Sequence, residues 1–262
     1  MLAGAFRWLS RRSRWPFQLA SAVLLNNYFL ARWIKGVPCL ALNCYSCPLA
    51  SFACPVGLLQ HFVIVRQFPL YVLGALGLSG ALWGRAPCGW HGPFGAFQDM
   101  LHKVPGPKLR VRDRHGWIRY VVLLVLVFVI PWFTLAPWFC KLCPQGTIEA
   151  GIPWVFIDPA IRAQIGWLFW LKVGLLLVMM GSAVVVRRPF CRWACPLGAV
   201  WSPFNKVSAL RLEVDKGRCK GCGLCGEACP MGIVPHKSPN SLSCIRCLRC
   251  VRACPTGALK VA

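Results

Sequence analysis

One cysteine pattern occurs twice near the end of this 262-residue chain. Both copies read Cys-x2-Cys-x2-Cys-x3-Cys-Pro: Cys219, Cys222, Cys225 and Cys229-Pro230, then Cys244, Cys247, Cys250 and Cys254-Pro255. This is the bacterial spacing for a pair of [4Fe–4S] clusters, in which the fourth cysteine of each run ligates the other cluster. The pattern therefore predicts one cluster on Cys219, Cys222, Cys225 and Cys254, and a second on Cys244, Cys247, Cys250 and Cys229. Zinc is the alternative, but zinc sites seldom carry four cysteines at this spacing in two copies.

The composition is that of a membrane protein with a small soluble domain. Hydrophobic residues make up 57% of the chain, charged residues 14%, and the net charge is +23. A bilayer span needs about 20 apolar residues. Four segments meet this requirement, near Trp15–Trp33, Gln67–Gly84, Ile118–Phe139 and Ile165–Val186.

Basic residues are concentrated in alternate segments between the predicted spans. They lie before the first span (Arg7, Arg11, Arg12, Arg14), between the second and third (Arg85, Lys103, Lys108, Arg110, Arg112, Arg114), and in the tail from Arg187 onward. The positive-inside rule then predicts a multi-pass protein of the cytoplasmic membrane with both termini in the cytoplasm. Because the charges sort by membrane side rather than along one helix face, we expect no nucleic-acid partner. The reducing cytoplasm suits exposed iron–sulfur ligands.

A Pro-x-Gly motif follows each of the four predicted membrane spans. Its four copies are Cys54-Pro55-Val56-Gly57, Gly92-Pro93-Phe94-Gly95, Cys143-Pro144-Gln145-Gly146 and Cys195-Pro196-Leu197-Gly198. Proline sets φ for a helix start, and glycine allows close backbone approach to an inorganic group. The repeat predicts an all-α bundle of four transmembrane helices in two pseudo-repeats over residues 1–207. An α+β two-[4Fe–4S] ferredoxin-like domain is expected over 208–262.

The inner motifs predict a metal site on Cys88, Cys191 and Cys195. A symmetric arrangement would place a fourth thiolate at position 92, which is glycine. His91 is a candidate fourth ligand because histidine replaces cysteine on some iron–sulfur clusters. The alternative is that His91 is an interfacial side chain.

The outer loops carry further cysteines, which predict either another cluster or disulfides, since that compartment is often oxidising. The candidate ligands of this outer site are Cys44, Cys47, Cys54, Cys140 and Cys143, with Cys39 as the expected bystander. Metal is favoured because all four motifs share one local pattern. Lys172 lies inside the fourth span, where snorkelling is the simpler explanation and a functional role the alternative.

The whole chain resembles the NapH/MauN-type membrane ferredoxins and, more loosely, the membrane domain of NosR-like proteins. The resemblance rests on Cys88, on the Cys191-x3-Cys195-Pro196 motif and on the eight tail cysteines, with Gly92 where the family has a cysteine. It implies electron transfer between quinol or a cytoplasmic donor and a membrane-associated redox partner protein.

The predicted protein is an electron-transfer subunit rather than a stand-alone enzyme. Its expected cofactors are two [4Fe–4S] clusters in the tail, one or two further clusters in the membrane domain, and a quinone. His61 and Arg66, at the mouth of the second span, are candidate contacts for the quinone headgroup or interface anchors. The alternatives are an assembly factor that sends reducing equivalents to outer thiols through Cys140 and Cys143, and a redox sensor.

Overall fold

The computed structural model describes residues 13–111 and 113–261. Arg7, Arg11, Arg12 and Arg112 of the charge argument lie outside the described residues. The helices are α1 (Trp15–Leu25), α2 (Tyr28–Ile34), α3 (Pro55–Ile64), α4 (Leu70–Trp83), α5 (Ala86–Trp90), α6 (Pro93–Leu101), α7 (Ile118–Val122), α8 (Ile130–Thr134), α9 (Trp138–Leu142), α10 (Pro144–Gly146), α11 (Ile152–Ile157), α12 (Pro159–Ala163), α13 (Trp167–Val185), α14 (Pro189–Trp193), α15 (Pro196–Trp201), α16 (Leu224–Glu227) and α17 (Arg249–Arg252). π-Helical turns occupy Leu123–Val129 and Thr147–Gly151, a 3-10 turn occupies Pro203–Lys206, and the strands are β1 (Leu212–Val214) and β2 (Leu259–Val261).

Within the described residues, one helix, α13, is long and apolar enough to cross a membrane by length and composition, with a mean hydropathy of 2.1. The shorter apolar helices are Trp15–Leu25, Pro55–Ile64, Leu70–Trp83 and the continuous helical segment Ile118–Thr134.

Local signals explain why the first and third apolar segments form shorter helices than predicted. The first segment breaks after Leu25, because Asn26 bonds back to the Ala22 carbonyl and Asn27 caps α2 by accepting from the Phe29 amide. The third ends after Thr134, where Leu135 turns left-handed at φ 51°.

A single apolar core joins the helices of the bundle. It includes Cys54 and Cys143 of the outer motifs together with Cys195 of the inner ones. Trp201 of α15 is fully buried in it, and its Nε1 donates to the Leu76 carbonyl of α4 at 3.1 Å. The outer and inner motifs therefore lie at two places on one continuous core.

The C-terminal domain closes on a two-stranded antiparallel sheet, with Leu212 opposite Val261. Its two cysteine loops have the same backbone shape. Gly221 and Gly223 adopt positive φ in the first loop, and Arg246 and Leu248 do so at the matching positions of the second. Left-handed backbone is costly for residues with a side chain, so the second loop depends on its surroundings to hold that shape.

Candidate metal centres

The first predicted cluster set shares one pocket in the C-terminal domain. Its walls include all four of Cys219, Cys222, Cys225 and Cys254, which is the crossed pairing expected from the spacing. The Cys225 sulfur lies 3.3 Å from Nδ1 of His236. The fold thus brings four thiols together, although the whole second cysteine loop separates Cys254 from Cys225 in the sequence.

The second set lies deeper, against the helical bundle. Cys244, Cys247 and Cys250 are buried. Burial raises the pKa of the Cys244 thiol to about 12, and the nearby Cys247 and Cys229 add to the rise. The Arg246 amide opposes it by donating to the Cys244 sulfur at 3.4 Å. Neighbouring thiols in an apolar setting resist ionisation until a metal supplies positive charge.

The inner site brings together Cys88, Cys191 and Cys195. Burial raises the pKa of the Cys195 thiol well above its ordinary value, and the neighbouring Cys191 and Cys88 raise it further. The Gly198 amide donates to the Cys195 sulfur at 3.4 Å, as an N-capping bond at the start of α15. The Gln98 amide nitrogen donates to the Cys191 sulfur at 3.2 Å.

Gly92 has the same backbone shape as the cysteines that start the other three motifs. Its φ and ψ are −73° and 102°, against −79° and 109° for Cys195. Cys54 and Cys143 have similar angles, −66° and 123°, and −71° and 120°. Since φ is negative, the backbone does not require glycine here. The inner site has three thiols because position 92 is glycine. The backbone at this position would allow a cysteine, and therefore a fourth thiol.

His91 lies beside a different feature. Its side chain lines an apolar pocket of about 260 Å³ together with Phe17, Leu40 and Trp83. Its backbone carbonyl accepts from the Ser21 hydroxyl at 2.8 Å. The proposed role as a fourth ligand stays a prediction, and this position favours the interfacial alternative.

The outer site is a cavity of about 100 Å³ between the two outer loops. Its lining includes the thiols of Cys44, Cys54, Cys140 and Cys143, and the side chain of Lys172. Burial raises the pKa of the Cys143 thiol to about 12 and that of Cys44 to about 11. Four of the five predicted outer ligands thus converge from both halves of the chain.

Cys47 and Cys39 are not among the residues that line this cavity, although Cys47 adjoins the lining residue Ala150. Cys47 packs against Ala50 and Ala150. The Cys39 sulfhydryl donates to the Ala41 carbonyl at 2.8 Å, in a small cluster with Leu25. The expectation that Cys39 is a bystander agrees with this position, whereas the assignment of Cys47 as a ligand finds no support in it.

Within the described residues, no three His, Cys, Asp or Glu side chains converge closely enough to hold one metal ion. The thiols instead line the walls of shared cavities. Their donor chemistry, soft thiolates in sets of three or four, is the type that iron–sulfur clusters use.

Two buried arginines at the inner site were missed by the sequence analysis. Arg85 donates to the Cys191 carbonyl, and Arg188 donates to the Cys88 carbonyl, each at 3.4 Å. Each guanidinium also lies over the motif glycine of the other half, Arg85 over Gly198 and Arg188 over Gly95. The signal was present: both arginines stand three residues before the first cysteine of their motif.

The buried charge of the molecule is strongly positive. The buried arginines of the described chain are Arg14, Arg85, Arg119, Arg188, Arg192 and Arg246, and Asp99 is the acidic side chain buried to the same degree. Burial would raise the pKa of the Asp99 carboxyl, but Arg188, 2.8 Å away, and its neighbours hold it at about 2. Charges are seldom buried without partners. The thiolate-rich sites would supply the missing negative charge.

The inner site lies directly against the second tail set. Cys88 packs on an apolar cluster formed by Met231, Ile245 and Cys247, and Cys229 packs on the same cluster. Beside it, Nε1 of Trp90 donates to the Arg246 carbonyl at 3.1 Å. These contacts fix the inner motif to the loop that carries the second set.

Two profiles described as 4Fe–4S binding domain match the chain. One matches residues 212–234 and 239–260, the two cysteine loops of the tail. The other matches residues 51–71, 68–112, 117–156 and 167–213, and together these segments cover more than half of the chain. Each of the four segments contains one of the four motif copies that begin at Cys54, Gly92, Cys143 and Cys195.

Curated relatives point in the same direction. An uncharacterized protein of Methanocaldococcus jannaschii is 29% identical over 227 residues, which cover 80% of this chain and 87% of that protein. The methylamine utilization ferredoxin-type protein MauN of Paracoccus denitrificans is 24% identical, over 85% of this chain and 78% of its own length. The regulatory protein NosR of Pseudomonas aeruginosa is 30% identical over 58% of this chain, which is 21% of NosR. No solved structure matches. The chain belongs to the MauN/NapH-type 4Fe–4S ferredoxins, with NosR-like relatives.

Proposed function

We propose that this protein is a membrane-bound iron–sulfur electron carrier that connects a cytoplasmic donor or the quinone pool with a redox partner at or across the membrane. [4Fe–4S] clusters supply one-electron transfer when bound. The chain's own residues position the sites, exclude water and set the local charge. The ferredoxin-type relatives support electron transfer as the general activity.

The tail would hold two [4Fe–4S] clusters in the crossed arrangement predicted from the sequence. Cys88, Cys191 and Cys195 would hold a further centre at the inner site. The observation that carries the proposal is the packing of Cys88 on the cluster that includes Cys247, next to Cys229. Two separate thiol sets are thereby held in contact with each other through buried apolar side chains.

We also propose that the bundle spans the cytoplasmic membrane four times with both termini inside. The length and composition of α13 support one span. Other helices expose large apolar side chains on their outer surfaces, including Phe133 at 78%, Leu70 at 72% and Leu78 at 66% exposure. A soluble surface seldom carries this much apolar area, and a lipid environment would cover it.

A quinone is the proposed membrane-soluble partner. An apolar pocket of about 590 Å³ lies beside Arg66, with walls that include Phe62, Phe128 and Trp132. The guanidinium of Arg66 lies 5.3 Å from the centre of the Trp132 ring. Aromatic walls with two polar side chains, Arg66 and Gln67, suit a flat ring with carbonyl oxygens.

The proposal is tested with the full-length protein in sealed liposomes that contain trapped ferricyanide. A membrane-impermeant viologen reductant is added outside, and orientation is checked by protease access to the tail. Liposomes whose tails face outward should reduce the trapped ferricyanide, while empty liposomes should not. Reduction of the tail clusters with no reduction of ferricyanide would contradict transfer across the membrane.

The variant Cys247→Ser is the matched control, because it removes a ligand of the second tail set that packs beside Cys88. It should abolish electron transfer to the interior.

Thiol trapping of Cys140 under reducing and oxidising conditions distinguishes the assembly-factor alternative from the electron carrier. A thiol that alternates between free and disulfide-bonded states would favour that alternative over the electron carrier.

A further inference from the structure

Lys172 is an unusual residue in the bundle. It is a charged residue in the otherwise apolar helix α13, five residues after its first residue, Trp167. Within the described residues, no carboxylate lies within ion-pair distance of its ammonium group. A cation in such a helix is costly unless a partner or water compensates its charge, so Lys172 needs an explanation.

The side chain of Lys172 lies at the outer cavity. It lines that cavity together with Cys44, Cys54, Cys140 and Cys143. Its Nζ is 3.7 Å from the point where a side chain at Gly151 would begin, on the π-helical turn that follows the Cys143 motif. Glu149, an acidic side chain in this region, accepts hydrogen bonds from the Cys44 amide at 2.6 Å and from the side-chain amide of Gln145.

We propose that Cys44, Cys54, Cys140 and Cys143 form a tetrathiolate iron–sulfur centre and that Lys172 is its counter-cation. This inference rests on the proposed function and deepens it, because it gives the electron path an outer end. Lys172 is a positioning residue here, since it acts through the charge of the centre.

The charge of Lys172 separates the two explanations that the sequence left open. Two disulfides would use the four thiols in neutral pairs and leave the ammonium group without a partner. Four thiolates around iron carry net negative charge and pair with it. The low dielectric of the bundle strengthens this attraction relative to water.

A cation beside the centre also affects its redox equilibrium. When the centre gains one electron, its negative charge grows by one, no bond breaks and no proton is required. The electron comes from the centres at the cytoplasmic face. Lys172 therefore stabilises the reduced form more than the oxidised form, and it should raise the reduction potential.

Along α13, the outer and inner sites are well separated. Lys172 lines the outer cavity, and Val185 ends the helix three residues before Arg188 of the inner site. Thirteen residues of α-helix rise about 20 Å. The cavity and the inner thiols are therefore different sites, and a change at Lys172 should act on the outer centre alone.

The ligand set is tested by iron and acid-labile sulfide content of anaerobically purified full-length protein. Cys44→Ser, Cys54→Ser, Cys140→Ser and Cys143→Ser should each lower both by the same amount. Cys39→Ser and Cys47→Ser are matched controls from the same loop and should change neither. Equal metal content in all six variants and the wild type would overturn the outer centre. Loss of metal in Cys47→Ser would overturn this ligand set.

The role of Lys172 is tested by redox titration followed by electron paramagnetic resonance. Lys172→Met should lower the potential of the outer centre by at least 59 mV, which is tenfold in the one-electron equilibrium. Lys172→Arg should restore it. Lys141→Met is the matched control, because the Lys141 ammonium lies over the Trp138 ring, 5.1 Å away, rather than in the cavity lining.

An unchanged potential in Lys172→Met, or an equal shift in Lys141→Met, would overturn the role of Lys172. If Lys172→Met fails to assemble the centre, metal content of Lys172→Arg decides: recovery supports a need for positive charge, and no recovery contradicts it. Throughout, the signals of the tail clusters report separately on the proposed function. Their persistence without an outer centre would remove this inference and leave cytoplasmic electron transfer standing.

Discussion

The sulfur of Cys140 lies 3.6 Å from the point where a side chain at Gly57 would begin. The contact is reciprocated across the molecule, because the Cys44 sulfur lies 3.5 Å from the same point on Gly146. Each outer loop thus places a thiol over the motif glycine of the other loop. The two halves of the chain need each other to complete the cavity.

Replacing Gly57 by alanine should disturb the outer site selectively. The added methyl group would lie 2.9 Å from the Tyr45 ring as well as close to Cys140. We expect a loss of about 1–3 kcal/mol in stability from overpacking, with lower metal content at the outer site and unchanged tail clusters. Gly77→Ala is the control, since nothing lies within 4 Å of its Cβ position. Equal iron in both variants and the wild type would contradict the prediction.

Replacing Asp99 by asparagine should destabilise the whole protein. Its carboxylate lies 3.0 Å from Arg14, 2.8 Å from Arg188 and 3.6 Å from Arg249, so it joins the first helix, the inner motif and the C-terminal domain. Removing one partner of a buried pair costs about 3–5 kcal/mol. Urea unfolding at neutral pH measures the change. The exposed pair Arg110–Glu227 provides a control, and Glu227→Gln should cost less than about 1 kcal/mol.

Asp99 also predicts how stability depends on pH. Its pKa is about 2 in the folded protein and 3.8 ordinarily. Because the folded value is lower, its contribution is fully present above pH 3.8 and is lost as the pH falls towards 2. Asp99→Asn should lack this component of the acid transition, which unfolding of the two proteins at several acidic pH values would measure. The same acid dependence in both would show that other groups dominate.

Replacing Arg85 by methionine should weaken the inner centre. The substitution removes the donor to the Leu242 carbonyl, 3.0 Å away, and the positive charge beside Cys88. An unsatisfied buried acceptor costs about 1–3 kcal/mol. We expect less iron at the inner site, with the tail clusters retained. Arg85→Lys should recover part of the loss, because lysine keeps the positive charge but lacks the several N–H donors of the planar guanidinium group. Full iron in Arg85→Met would contradict a role for this cation.

Position 92 separates the two explanations of the inner site. Gly92→Cys should add a fourth thiol, because the backbone already has the shape of the cysteine positions. The new Cβ would lie 3.1 Å from the Cys88 carbonyl oxygen, and a shift of that carbonyl by a few tenths of an ångström would make room for it. After transfer from anaerobic to aerobic buffer, the centre of this variant should survive longer than the centre of the wild type. His91→Ala should leave the iron content and the paramagnetic signal unchanged. A changed signal in His91→Ala would identify histidine as the fourth ligand.

Different parts of the sequence predicted the structure to different degrees. The tail pattern predicted two cluster sets from the short cysteine spacings, and the four thiols of the first set line one pocket. The outer ligands were harder to predict, because Cys44 and Cys47 lie in the same short loop and the local sequence does not show which of them is a ligand. Both cysteines pack on the cluster that contains Ala50 and Ala150, and the difference between them is that Cys44 lines the outer cavity and Cys47 does not.

The first and third apolar segments form shorter helices than hydropathy predicted, whereas α13 covers nearly all of the fourth. Asn26 and Asn27 end one helix and start another through side-chain bonds to the backbone, which a hydropathy window does not register. The pairing of Arg85 with the second half and Arg188 with the first is a long-range contact. A repeat in the sequence can suggest such residues, but it cannot show which half of the chain each arginine contacts.

The excess of buried arginine has a consequence for how a cell makes this protein. Six guanidinium groups, from Arg14 to Arg246, are buried in the described chain, and Asp99, the acidic side chain buried to the same degree, pairs with those of Arg14 and Arg188. Before iron and sulfide arrive, these cations would repel one another in a medium that cannot solvate them. Cofactor delivery is therefore expected to be a folding step. In iron-starved cells the chain should remain open and be degraded, so its abundance would follow the supply of clusters rather than the rate of its synthesis.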